Sequence, residues 1–131
     1  VVGRNEPAHC TALGRAMLAA MSAEERRAVL QQATYIAYTP QSPMSLEAVE
    51  AALDAAAEQG WAFDNEEFLR DVRCVAAVIL DRRGYPVAAL GISGPTARLS
   101  AQRCHELGPR VRAIALRVSL QLGYQEANLR P

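Results

Sequence analysis

The sequence predicts an α/β (α+β) domain in which helices pack on a largely antiparallel sheet. Two apolar runs, "CVAAVILD" (Cys74–Asp81) and "YPVAALGIS" (Tyr85–Ser93), flank Arg82-Arg83-Gly84, the pattern of a β-hairpin with glycine at its turn. Four other stretches carry apolar residues at helical spacing, each opened by Ser or Thr, whose side chains cap free backbone amides. With 131 residues, half of them hydrophobic, the chain can close one modest core without staples.

The elements follow in order. Residues 1–8 are expected to be extended, since Pro7 disfavours helix before it. A first helix runs from about Thr11 to Met21, with Leu13, Met17 and Ala20 or Met21 on one face. Ser22 and Glu25 have capping-box spacing and open a second helix that ends near Gln32. "TYIAYT" (Thr34–Thr39) is rich in β-formers and predicts a short strand. Ser45 caps a third helix with Leu46, Val49, Leu53 and Ala56 or Ala57 inward, and Gly60 stops it. Trp61–Phe63 begins a strand or extended edge, and the polar Asp64–Arg73 reads as a loop. After the hairpin, Ser100 caps a last helix that ends at Gly123, with Leu107, Val111, Ile114, Val118 and Leu122 as its stripe. A kink is expected at Gly108-Pro109, because proline removes a backbone donor. Four helices are many for so thin a sheet, and further strands supplied from upstream would fit better.

Composition excludes several classes. The formal net charge is zero, against the basic excess of a chain that grips nucleic acid by its phosphates. No apolar run is long enough to cross a bilayer, and "VVGRNEPAH" lacks the apolar centre of a signal peptide. Three cysteines, Cys10, Cys74 and Cys104, lack metal spacing and cannot all pair within the chain, which suits a reducing cytoplasm. Cys104 and His105 are neighbours on one helix, so they diverge by about a quarter-turn and no third ligand lies near.

In this order and spacing, "PAHCTALGRAMLA", "GWAFDNEEF", "RCVAAVILD", "GYPVAALGISGP" and "RVSLQLG" resemble the effector-binding domain of IclR-type bacterial transcriptional regulators. The resemblance covers about Pro7 to Tyr124. It implies a GAF-like or profilin-like antiparallel sheet flanked by helices, with a pocket for a small organic molecule, often a carboxylate. It also implies that residues 1–131 form a single effector-binding domain without its first strands and without the upstream winged helix-turn-helix domain. DNA would then be reached only through that missing domain, in a cytoplasmic homodimer or tetramer with no membrane association.

The candidate site starts at the first helix. If Thr11 is its N-cap, Ala12, Leu13 and Gly14 present first-turn amides, which favour an anion. Position 14 is glycine, so no Glu or Gln side chain returns to fill the spot. An ordinary solvated helix start is the bland alternative. By resemblance, Ala12 and Leu13 match effector-contacting positions, and Val72, Cys74, Asp64, Gly91 and Ser93 match other pocket positions. Some relatives carry serine where Gly91 stands, and the loss of that hydroxyl points to a bulkier or less polar acid. Asp64 would bond the effector or a pocket water, and repulsion from a carboxylate requires that one partner be protonated or the contact indirect. Glu66 and Glu67 are read as surface, and Leu90, Ile92 and Val78 as core. No catalytic residue, metal ligand or cofactor is assigned. The competing readings are a thiol hydrolase using Cys74 or Cys10 with His9, and a pure oligomerisation domain.

Overall fold

The computed structural model describes residues 2–126. Its elements are α1 (Ala12–Ala20), α2 (Ala23–Gln31), α3 (Leu46–Gln59), β1 (Ala62–Asn65), β2 (Val72–Leu80), β3 (Pro86–Pro95) and α4 (Ala101–Gln121). The sheet is antiparallel in the order β1-β2-β3. Strand alternation divides its residues between two layers. On one face Ala62, Cys74 and Ala76 meet Ala12 and Ala16 of α1 and Ala56 of α3. On the other, Val75 and Ala77 meet Cys104, Val111 and Ala115 of α4, with Trp61 and Leu99 closing the cluster. A third cluster, Leu18, Leu30, Val49 and Leu53, joins the three N-terminal helices.

The caps are where local sequence put them. Thr11, Ser22, Ser45 and Ser100 each accept from the backbone N–H three residues on. Gly60 closes α3 in the left-handed region at φ +84°. The hairpin forms, but Asp81 holds its turn, its Oδ1 accepting from the Arg83 and Tyr85 N–H groups.

Other expectations are corrected. Thr34–Thr39 is not a strand; it runs as irregular chain with Ile36 and Tyr38 exposed, because no partner strand stands beside it among the described residues. Asp64–Arg73 is not all loop, since Asp64 and Asn65 pair with Cys74 and Arg73 across β1 and β2. Of the expected extended residues 1–8, Val1 lies outside the described residues and Val2–Gly3 form a turn. The expected α1 face is wrong as well: Leu13 is 41% exposed, while Ala12, Arg15, Ala16 and Leu18 are buried. Alanines let α1 lie close on the sheet, which a row of larger side chains would prevent.

The same logic turns α4 away from the expected stripe. Its buried line is Cys104, Gly108, Val111, Ala115 and Ser119, while Ile114 and Leu122 are half exposed. The helix is unbroken through Gly108-Pro109. Gly108 serves close approach there: a Cβ would stand 2.3 Å from Trp61 ring atoms. Buried Ser119 accepts from the Leu80 N–H at 2.9 Å, satisfying the strand where the β2–β3 register shifts.

Gly108→Ala separates these effects. Helix propensity alone favours alanine by about 1 kcal/mol. The collision with Trp61 costs roughly 1–3 kcal/mol or more. A net loss in urea denaturation is expected, and a variant as stable as the parent chain would contradict this packing.

Candidate functional site

The register aligns one row across all three strands: Asp64 opposite Cys74, and Cys74 opposite Ser93. This row ends beneath the start of α1, where a cavity of about 110 Å³ opens. Six of the eight predicted residues line it: Ala12, Leu13, Asp64, Val72, Cys74 and Ser93. Glu6, Thr11, Phe68 and Leu69 complete the wall. A separate hollow of about 150 Å³ lies between α1 and α3, bounded by Ala16, Ala19, Ala56, Ala57 and Val78. Of its lining side chains only that of Trp61 carries a polar atom, so it has little to orient a ligand; the convergent polar groups belong to the smaller cavity.

Gly14 and Gly91 do not line the cavity. A Cβ on Gly14 would meet the Ala8 Cα at 2.4 Å, so glycine is needed for the N-terminal segment to cross α1. Its amide is also taken, donating to Thr11 Oγ1 at 3.3 Å while that hydroxyl donates to the Pro7 carbonyl at 2.8 Å. Gly91 lies one step along the same face: a Cβ there would come within 2.9 Å of the Val75 carbonyl and 3.2 Å of Leu13. Its small size therefore serves strand and Leu13 packing. The first-turn residues that line the cavity are Ala12 and Leu13, whose amides have no partner within the helix.

The wall is held by groups the sequence did not single out. Arg15 is 2% exposed and makes four contacts. Its Nε donates to the His9 carbonyl at 2.9 Å, its Nη1 to the Phe63 carbonyl at 3.1 Å, and its two Nη atoms to the Glu67 carboxylate at 2.7 and 2.6 Å. Glu67 is thus a half-buried strut and not a solvated surface residue. Buried Thr39 and Ser42 donate to the Glu66 and Glu67 carbonyls from the other side. Clamped this way, the turn after β1 carries left-handed residues at Glu66 (φ 58°) and Asp71 (φ 61°). The only sequence signal for Arg15 was a lone charge beside the alanines of α1.

Burial sets the ionisation here. Asp64, 6% exposed, accepts from the Glu67 N–H at 2.9 Å, yet loss of solvent pushes its carboxyl up to about 6. Burial likewise raises the Cys10 thiol to about 11 and the Cys74 thiol above its ordinary value, and holds His9 below its own. Neither cysteine has the thiolate character a nucleophile needs. Arg73 is turned to the opposite face, donating to Asn65 and to the Leu99 carbonyl. Cys104 is buried while His105 stacks edge-on to Trp61 and Phe63, and among the described residues no metal-holding group of His, Cys, Asp or Glu occurs.

Residues 1–120 match the family described as "Bacterial transcriptional regulator IclR C-terminal". The chain belongs to this family. It is 36% identical over 125 residues to the HTH-type transcriptional regulator KdgR of Escherichia coli, covering 95% of this chain and 48% of that protein. The chain therefore spans about half the length of this curated relative. Among solved structures, the C-terminal domain of E. coli KdgR superposes with a TM-score of 0.85 at 37% identity, over 93% of this chain and 74% of that one. The Agobacterium tumefaciens repressor BlcR gives 0.88 at 27% identity, over 96% and 50%. The α+β architecture is thus that of IclR C-terminal domains, and the relatives are regulators of transcription. No helix among the described residues is long and apolar enough to cross a membrane.

Two outcomes follow for this IclR domain. Arg15→Ala removes the buried guanidinium and leaves the half-buried Glu67 carboxylate without its partner, and should cost about 2–3 kcal/mol in chemical denaturation; a change under about 0.5 kcal/mol would refute the clamp. Because the folded Asp64 carboxyl sits above its unfolded value, its cost is absent below about pH 4, grows as pH rises through about 6, and is full at pH 7. Asp64→Asn should then gain on the parent chain between pH 4 and 7, by at most about 3 kcal/mol. Parallel stability curves would show that Asp64 is not so burdened.

Proposed function

We propose that this chain is the effector-sensing part of an IclR-type regulator, and that its effector is a small organic acid, aliphatic or aromatic. The observation that carries the reading is the pairing of the Ala12 and Leu13 amides at the mouth of α1 with a partly apolar cavity at the end of the Asp64–Cys74–Ser93 row. Those amides and the helix dipole favour a carboxylate. Val72, Leu69 and Phe68 offer apolar surface to the rest of the molecule. The effector binds one conformation of the domain better than another, and that difference reaches DNA-binding elements outside this chain in a cytoplasmic dimer or tetramer. The name "HTH-type" borne by KdgR supports the DNA-binding role of the parent protein.

The test is a thermal-shift screen with short aliphatic, 2-hydroxy, 2-oxo and aromatic carboxylates. A true effector raises the apparent Tm in proportion to its excess over Kd. Ser93→Leu, made at an exposed rim position, should fill the cavity and abolish the shift with the fold intact. A panel with no stabilising acid would favour an oligomerisation domain, and shifts unchanged in Ser93→Leu would place the ligand elsewhere.

A further inference from the structure

Resting on the acid-sensor reading, we propose that Asp64 enters the complex as a neutral carboxylic acid and donates a hydrogen bond to the effector, so that capture of one acid takes up one proton. The charge balance around the cavity carries this. Three carboxylates gather here: Asp64 and Glu67 on the β1 end and its turn, and Glu6 on the N-terminal segment at the exposed rim. From α1 the charge facing them is Arg15, and both its Nη atoms already serve Glu67 at 2.6 and 2.7 Å. From β2, Cys74 faces Asp64 as a buried thiol, and Arg73 is turned away toward Asn65 and Leu99. From β3 the neighbour in the row is the neutral Ser93. His9, beside Arg15, is held neutral by burial, and exposed Arg4 stacks on the outer Phe68 ring at 5.9 Å. A ligand carboxylate would bring a fourth negative charge into a space with one committed cation. Like charges in such a space do not all stay ionised.

Asp64 is the group placed to change. It is 6% exposed, whereas Glu67 is compensated by its guanidinium and Glu6 is solvated. Its acceptor side is held by backbone N–H groups of Glu67 and Phe68. Burial already raises its carboxyl to about 6, and an anion beside it raises it further. The proton comes from solvent, no covalent bond changes, and the acid O–H donates to the carboxylate or to an adjacent oxygen of the ligand. A buried acid kept neutral to act as a donor is established chemistry for an apolar site.

The experiment is titration calorimetry of the full chain with 2-oxobutanoate and with benzoate, in two buffers of different ionisation enthalpy, from about pH 5.5 to 8. Uptake of close to one proton per ligand is expected at pH 7.5, with affinity falling about tenfold per pH unit well above pH 6. Asp64→Asn can donate from its amide without a proton, so it should bind with affinity independent of pH and no uptake. Tight binding with no proton uptake in the parent chain, or the same pH slope in Asp64→Asn, would overturn the proposal and leave the acid-sensor reading standing. If neither probe binds while other acids of the panel do, the same measurement with those acids decides. If no acid binds, both readings fall.

Discussion

The ion pair between Arg15 and Glu67 is the constraint on which the rest of the site depends. It fixes the first turn of α1 to the turn after β1, the two walls between which the cavity opens. Two charges out of water are costly unless geometry is good, and here the fork is bidentate and further satisfied by the His9 and Phe63 carbonyls. The pair is weak evidence for net stability. Its effect is positional: it sets the distance between the α1 amides and the strand row, and it takes the one buried guanidinium among the described residues away from Asp64.

Small residues set the geometry of the domain around this pair. Ala12 and Ala16 bring α1 onto one face of the sheet, and Gly108 and Ala115 bring α4 onto the other. With both helices close, β2 is buried through its centre and its Cys74 end stays fixed beneath α1. Leu13 is left at the mouth of the cavity, 41% exposed and packed over Gly91.

What could be read from the sequence was local. Caps at Thr11, Ser22, Ser45 and Ser100, the stop at Gly60 and the hairpin at Gly84 depend on a few neighbouring residues, and each formed. Features that depend on distant partners could not be read in the same way. "TYIAYT" has strand-forming residues but no strand to pair with, and the face of α4 turned on which residues could approach Trp61. Arg15 and Glu67 lie 52 positions apart, so neither gave notice of the other. Of the positions named for the site, from the helix start or through family resemblance, Ala12, Leu13, Asp64, Val72, Cys74 and Ser93 come together, because strand register carries over with the pattern. Gly14 and Gly91 do not, because their smallness answers to backbones behind them, which no motif records.

The most direct measurement is a crystal structure of the chain with whichever acid most raises its Tm. The account predicts a carboxylate oxygen about 3 Å from the Ala12 or Leu13 nitrogen, with the remainder of the molecule over Cys74 and Val72. Density for the acid in the alanine-lined hollow between α1 and α3, with the mouth of α1 untouched, would contradict it.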